Sequence, residues 1–366
     1  MKQENYVISR EQIIKMAEPM LKSHRVFAPK PRKPHTFSNE KERDKQYFSF
    51  EEIKEKNGLK NIALEYDTTI LPPKKIFFPS GEVFFTLKNK KINEPKPAKP
   101  ALILGAHPAD IYGLLQLGEI MTNPKPDYYY LKRKEKAVII GISQNRHNYD
   151  FSKRWGILPG HLPPVFDIFL DKMPDGGYLA TVGSPAGKKL IQKIKPKKAS
   201  LRQGFGGQAD KKLATQIKAG HIAEQGPDAP AYDQDTIKKA VLASQGGKIW
   251  EELEKICLGC GICTYVCPLC YCFDVEDKTD YSTGECTRCR NWDACTLPTF
   301  SEIAGGKNFR PALKNRYFNW YFHKFVRGLE EYGQAQCVGC GRCSKFCPAG
   351  INVENVLDRI IKEYGN

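Results

Sequence analysis

The sequence lacks several features, and each absence excludes a class of protein. All 13 cysteines lie at or beyond Cys257, whereas the disulfide framework of a small secreted domain is spread along its chain. No apolar run approaches the roughly 18 residues that a membrane-spanning helix needs. Segment 1–20 alternates charged and apolar residues where a signal peptide has an apolar core. We therefore expect a cytoplasmic protein without a membrane span.

Nucleotide-binding motifs are also missing. The glycines of segment 204–207 follow no predicted strand and lack the spacing of a dinucleotide-binding loop. Segment 184–188 follows a predicted strand but does not have the sequence of a P-loop. A helix start with Ser184 as the cap and Pro185 as the first helical residue explains it without a ligand. No flavin or nicotinamide motif is visible, so hydride chemistry would belong to a partner.

Composition indicates a globular chain, and its net charge does not identify a partner. Apolar residues make up 41% and charged residues 27%, as in soluble globular proteins. The net charge of +16 fits an acidic partner subunit, nucleic acid, or solubility alone. Without a nucleic-acid-binding module, charge by itself gives little support for nucleic acid.

The pattern along the chain predicts an α+β protein: a mixed α/β domain followed by an α-helical ferredoxin-like domain. The first part has an amphipathic helix through Ile13, Met16 and Leu21, then a basic, proline-rich arm at 29–34. We predict strands within 62–78 and across 82–87, separated by turns at Pro72–Pro73 and Ser80–Gly81. Further strands are predicted at 101–106, 137–143 and 177–183, and a helix begins at Pro108. The predicted parts are an N-terminal helix and arm (1–50), a mixed α/β domain (51–245) and a ferredoxin domain (246–366).

Two cysteine runs carry the chemistry. Each has the spacing Cys-x2-Cys-x2-Cys-x3-Cys-Pro of bacterial ferredoxins, in which the fourth cysteine binds the other [4Fe–4S] cluster. Paired zinc sites would need no trailing Cys-Pro. The predicted ligands are therefore crossed, with Cys257, Cys260, Cys263 and Cys347 holding one cluster and Cys337, Cys340, Cys343 and Cys267 holding the other.

The sequence around the runs fits helices that flank two cluster loops. Residues 268–336 separate the runs, which is too long for a compact ββαββα ferredoxin. The segment after Asn352 places apolar side chains on one helical stripe. The aromatic and basic segment 305–325 either packs between helices or stacks on nucleic acid, and we favour packing.

Five further cysteines lie between the runs: Cys270, Cys272, Cys286, Cys289 and Cys295. They offer more than the four ligands that a cubane requires, so we predict a third metal site, and favour another [4Fe–4S] cluster. A structural zinc ion is the main alternative, and reduced thiols buried in the core are another.

The chain resembles the iron–sulfur β subunit of archaeal and bacterial sulfhydrogenases and the related A subunit of anaerobic sulfite reductase. The shared segments are TTILPPKKIFF (68–78), LGAHPADIYGL (104–114), VIIGIS (138–143), CLGCGICTYVCPLCYC (257–272), NWDAC (291–295), AGGKNFRP (304–311) and CVGCGRCSKFCPA (337–349). The resemblance implies a subunit of anaerobic metabolism that connects a flavin subunit handling NAD(P)H to a catalytic subunit.

One departure from the family affects its N-terminal domain. Relatives carry further cysteines in a His-x-Cys-Asp segment and after the strand equivalent to 138–143, and these look like ligands of an additional cluster. This chain has Ala109 in the first place and Gln144 after Ser143. We therefore expect that cluster to be absent, so the electron route of the family does not apply in full to this chain and the identity of the partner stays open.

The leading hypothesis is a non-catalytic electron-relay subunit of a cytoplasmic multisubunit oxidoreductase. Its expected partners are a flavoprotein that handles NAD(P)H and a catalytic redox subunit. Two alternatives stay open: an enzyme whose third iron–sulfur site binds substrate, and a nucleic-acid enzyme with a structural cluster.

Overall fold

The computed structural model describes residues 4–33, 41, 45–143, 147–157, 165–174, 176–198 and 231–365. The strands are β1 (Glu4–Ile8), β2 (Arg25–Arg32), β3 (Tyr47–Ile53), β4 (Glu82–Lys88), β5 (Lys91–Asn93), β6 (Ala101–Ala106), β7 (Val138–Ile142), β8 (Ile168–Lys172), β9 (Tyr178–Val182), β10 (Lys197–Lys198), β11 (Phe273–Asp280) and β12 (Glu285–Trp292).

The helices are α1 (Arg10–Ala17), α2 (Met20–Ser23), α3 (Lys56–Lys60), α4 (Lys74–Phe77), α5 (Pro108–Ile120), α6 (Tyr128–Lys134), α7 (Pro185–Gln192), α8 (Gln234–Ala243), α9 (Lys248–Ile256), α10 (Ile262–Tyr265), α11 (Leu313–Phe322), α12 (Gly328–Tyr332), α13 (Arg342–Lys345) and α14 (Val353–Tyr364). Short 3-10 helices cover Ser152–Trp155 and Pro298–Ser301, and a π-helical turn, His323–Arg327, joins α11 to α12. No described helix is both long and apolar enough to cross a membrane.

An eight-stranded mixed sheet forms the N-terminal part, in the order β10-β1-β9-β8-β7-β6-β2-β3. Strands β2, β6, β7 and β8 run parallel, and the remaining pairs are antiparallel. Strand β6 is buried throughout, as expected for a parallel strand covered on both faces. The predictions of strands at 101–106, 137–143 and 177–183 are confirmed, as are the helix at Pro108 and the Ser184 cap.

The prediction of a basic arm at 29–34 is wrong for the residues that the structure describes. Residues 25–32 form strand β2, which pairs with β6 only as far as Phe27 and with β3 from Val26 to Arg32. Pro29 and Pro31 therefore lie where one neighbouring strand is missing, and an edge position tolerates a residue that cannot donate a backbone hydrogen bond. Pro34 lies outside the described residues.

Two other predictions of secondary structure need correction. The predicted N-terminal helix is interrupted at Pro19 and forms α1 and α2. The strands predicted within 62–78 form no ladder beyond an isolated bridge between Thr69 and Phe48, and the part after Pro72 and Pro73 is helix α4 instead. Its apolar residues are still buried against the sheet, and include Phe77 and Phe78.

A second sheet joins distant parts of the chain. The hairpin of β11 and β12 pairs with β4, in the antiparallel order β11-β12-β4-β5. Residues on both sides of 245 therefore share one sheet, and the division at that residue stays a prediction. The wholly helical prediction for 246–366 missed this hairpin, because every residue of β11 is exposed and leaves no apolar pattern in the sequence.

The C-terminal helices surround an aromatic core formed by Trp250, Trp320, Tyr321 and Phe325. Burial of Tyr317, Trp320 and Tyr321 confirms that this aromatic segment packs between helices. The predicted helix after Asn352 is confirmed, and Asn352 accepts hydrogen bonds from the first helical N–H groups.

Candidate metal centres

The two cysteine runs fold in the same way. Each forms a loop that leads into a one-turn helix, α10 in the first run and α13 in the second. Gly259 and Gly339 both have φ of 61°, and Gly261 and Gly341 have φ of 78° and 66°. This left-handed conformation suits glycine, and it curls each loop around the space between its cysteines.

Backbone N–H groups point at sulfur in equivalent positions of the runs. The N–H of Gly259 donates to Cys257 Sγ, and the N–H of Gly339 donates to Cys337 Sγ, both at 3.4 Å. Leu269 N–H donates to Cys267 Sγ at the same distance. Such donors favour the negative thiolate that binds iron, and hydrogen bonds to sulfur are one determinant of a cluster's potential.

The first group of cysteines surrounds a cavity beside α10. Its lining includes Cys257, Cys260 and Cys263 from the first run and Cys347 from the second, with Cys343 also in the wall. The fourth cysteine of the second run thus faces the first three of the first run, as the crossed prediction requires. Burial raises the pKa of Cys257, Cys263 and Cys347, so iron must displace protons to bind there.

The second group consists of Cys337, Cys340 and Cys343 with Cys267 from the first run. Burial, together with the Cys267 thiolate, raises the pKa of Cys337 to about 12 and that of Cys340 to about 11. The hydrogen bond from Cys270 and the nearby Lys324 hold the pKa of Cys267 well below its usual range. Cys267 therefore lies beside the second run, as expected if the fourth cysteine of each run binds the cluster of the other run.

Two buried lysines adjoin the second group. Lys324 Nζ lies 3.1 Å from Cys267 Sγ, and Lys74 Nζ lies 2.7 Å from the carbonyl oxygen of Cys270. Burial alone would lower the pKa of Lys324, but the thiolates of Cys267, Cys270 and Cys337 outweigh this effect and raise it well above its usual value. Burial lowers the pKa of Lys74, and thiolates oppose that shift.

The two groups differ in their surroundings. Cys260 is exposed, and its neighbour Leu258 is 67% exposed. The second run is instead covered by the N-terminal part of the chain: Phe151 N–H donates to the Gly339 carbonyl at 2.8 Å. On the same side, a Cβ on Gly113 of α5 would come within 2.7 Å of Pro268, so only glycine allows this close approach.

The five additional cysteines occupy separate places. Cys270 lies beside Cys267. Cys272 lies beside Cys295, and the hydrogen bond between them and burial both raise the pKa of Cys272. Cys286 and Cys289 lie on strand β12 of the hairpin, where Cys289 Sγ is 3.6 Å from the Glu276 carbonyl oxygen. The ligand set of a third site stays a prediction.

Zinc would need ligands that converge on one ion. In the part of the chain that the structure describes, no three His, Cys, Asp or Glu side chains are grouped to hold a single metal ion. A cubane makes a different demand, because each of its cysteines binds a separate iron around a larger central space. The cavity within the first group meets that demand.

Sequence analysis missed both buried lysines and the buried Arg342. A signal was present for Lys74, because it lies with Lys75 in the mainly apolar segment 70–78, where a charged side chain in the core needs a partner. Lys324 gave no such signal, since it lies in the aromatic segment 305–325, which contains several other bases.

Comparison with known proteins agrees with this geometry. Residues 256–351 match the family described as a 4Fe-4S dicluster domain. The chain is 32% identical over 313 residues to sulfhydrogenase 2 subunit beta of Pyrococcus furiosus, across 86% of this chain and 89% of that protein. The chain belongs to the sulfhydrogenase beta-subunit family.

Membership confirms the predicted resemblance and the predicted fold class. The dicluster match spans both cysteine runs, so this family member is an iron–sulfur protein with [4Fe–4S] clusters and an electron-transfer role. The number of clusters and the residue-by-residue ligand assignment stay predictions.

Proposed function

We propose that this member of the sulfhydrogenase beta-subunit family is a relay subunit with two [4Fe–4S] clusters. It takes electrons from a flavoprotein that handles NAD(P)H and passes them to a catalytic redox subunit. The observation that supports the proposal most is the placement of the fourth cysteines. Cys347 lines the cavity of the first three cysteines of the other run, and Cys267 acts on Cys337 and Cys340.

Crossing supports electron exchange between the centres. Cys343 is assigned to the second centre, and it also lines the cavity of the first. Thiolates of the two proposed clusters are therefore neighbours, which favours transfer of single electrons from one cluster to the other. A relay needs this proximity, whereas a structural cluster does not.

The first centre provides a contact point for a redox partner. Cys260 is exposed, and the apolar side chains of Leu258 and Ile256 beside it are 67% and 51% exposed. Exposed apolar side chains around a cofactor are typical of a surface that a partner covers. The relative's name describes it as a subunit of a sulfhydrogenase, which supports a complex for this chain as well.

Reduction tests separate a relay from an enzyme. We expect the anaerobically purified, flavin-free chain to be reduced by dithionite but not by NADH or NADPH, with cluster absorbance as the readout. Addition of the flavoprotein that co-purifies from the native host restores reduction by the pyridine nucleotide. Oxidation of NADH by the pure chain alone would contradict the relay.

Metal analysis tests the ligand assignment and the third site. Two cubanes give about eight irons per chain, a third gives about twelve, and a zinc alternative gives about eight irons with one zinc. We expect Cys260→Ala to lose about half of the iron of a two-cluster chain. Cys286→Ala is the matched control: unchanged iron excludes it from a cluster, and a loss of about four irons places it in a third one.

A further inference from the structure

The second centre is accompanied by two ammonium groups that are almost wholly buried. Lys324 is 4% exposed, and its Nζ lies 3.1 Å both from Cys267 Sγ and from the Gln336 carbonyl oxygen. Lys74 is 2% exposed, and its Nζ lies 4.4 Å from the centre of the Trp292 ring. The opposite charges that act on both are cysteine thiolates.

A buried cation strongly destabilises the folded protein unless an opposite charge compensates it. A cubane held by four thiolates supplies that charge, and its negative charge grows when it accepts an electron. The attraction to a nearby ammonium is therefore stronger in the reduced state than in the oxidised state. In a buried site the low dielectric constant strengthens the difference.

Within the described part of the chain, the first centre shows no equivalent contact between a buried ammonium group and sulfur. The buried base that acts on Cys257 is Arg316, whose guanidinium donates to the carbonyl oxygens of Thr296, Arg310 and Pro311 rather than to sulfur. Water instead reaches this centre at the exposed Cys260 and can stabilise added negative charge. The second centre is covered by protein, so protein groups rather than water must stabilise the added negative charge there.

We propose that Lys324, assisted by Lys74, raises the reduction potential of the centre formed by Cys267, Cys337, Cys340 and Cys343. The inference rests on the proposed ligand assignment. Burial by itself disfavours the additional negative charge of a reduced cluster, and the two ammonium groups offset that effect. The covered cluster thereby stays reducible by its solvent-exposed neighbour. Lys324 has the larger effect because its Nζ contacts a ligand sulfur, whereas Lys74 donates to a carbonyl oxygen.

Potentiometric titration of the full anaerobic chain, followed by paramagnetic resonance, measures this effect. In Lys324→Met we expect the ratio of reduced to oxidised second cluster at a fixed potential to fall at least tenfold, about 59 mV for a one-electron couple. The first cluster keeps its potential. Lys324→Arg keeps the positive charge, so the second cluster should retain most of its wild-type potential. Lys74→Met should lower that potential by less than Lys324→Met does. The Cys340→Ala variant assigns the signals, because it removes a ligand of the second centre only.

Lys314→Met is the matched control, because Lys314 is a partly exposed lysine of the neighbouring helix α11 that pairs with Glu251. Both potentials should match the wild type there. A Lys324→Met protein with full iron content and unchanged potentials overturns the inference, as does a shift of the first cluster alone. If the Lys324→Met protein fails to bind clusters, the potential of the second cluster is measured in Lys74→Met instead. An unchanged potential in that variant overturns the inference. Wild-type iron below about eight per chain would instead contradict the proposed ligand assignment.

Discussion

Arg342 and Asp110 form a buried ion pair, with hydrogen bonds of 2.7 and 2.9 Å between guanidinium nitrogens and carboxylate oxygens. Arg342 lies between Cys340 and Cys343 of the second run, and Asp110 lies on helix α5. Arg342 also donates to the carbonyl oxygen of Thr69 at 2.7 Å. The pair thus fixes the second cysteine run against the N-terminal sheet domain.

Asp110→Asn should destabilise the protein by about 3–5 kcal/mol, because it leaves the buried Arg342 charge uncompensated. Denaturant unfolding of the anaerobic protein measures this change. Glu252→Gln is the control, since its partner Arg359 is exposed and such surface pairs contribute at most about 1 kcal/mol. Equal effects of the two substitutions would show that the Asp110 pair does not hold the run in place.

If the ligands are crossed, loss of the fourth cysteine of one run should damage the cluster held by the other run. Cys347→Ala should damage the cluster of Cys257, Cys260 and Cys263, and Cys267→Ala should damage the cluster of the second run. Paramagnetic resonance of the reduced variants reports which signal is lost. If each variant instead loses the signal of its own run, the ligands are not crossed.

Gly259 and Gly339 form a matched pair, because both have φ of 61° at the same place in their runs. Alanine at either position costs about 1–2 kcal/mol for the left-handed conformation. A Cβ at Gly339 would also come within 2.6 Å of the Ser152 backbone, whereas at Gly259 the nearest atom is a Leu313 side-chain carbon at 3.3 Å. We expect Gly339→Ala to lose iron from its cluster and Gly259→Ala to retain it. Equal iron contents would contradict this difference.

His323 should make stability depend on pH. Burial, together with the charges of Lys324 and Arg327, lowers its pKa from 6.5 to about 4 against the opposing charge of Glu331. Tyr271 also faces the ring, with its hydroxyl 3.2 Å from Nε2. Between pH 6.5 and 4 the unfolded chain binds a proton here that the folded chain does not, so stability falls as the pH falls.

At pH 5.5 this loss is about 1.4 kcal/mol relative to pH 8. His323→Gln should reduce the difference in unfolding free energy between these two pH values by that amount. Denaturant unfolding at both values checks it. A variant with the same pH dependence as the wild type would show that His323 does not contribute.

Local sequence carried a large part of the result. The spacing of each cysteine run predicted [4Fe–4S] clusters, and the family match confirms them. Periodicity and capping residues also predicted helix α14 after Asn352 and the buried strand β6. These features depend on residues that are neighbours along the chain, so a short segment is enough to specify them.

Tertiary structure alone decided how the runs are surrounded. Lys74 and Cys270, or Asp110 and Arg342, are distant in the sequence and meet only because the sheet, α5 and the cysteine loops pack together. The same packing leaves Cys260 exposed and covers Gly339 with the chain at Phe151. Burial and the charge around each centre are sums over such long-range contacts, and no local pattern of residue types specifies them.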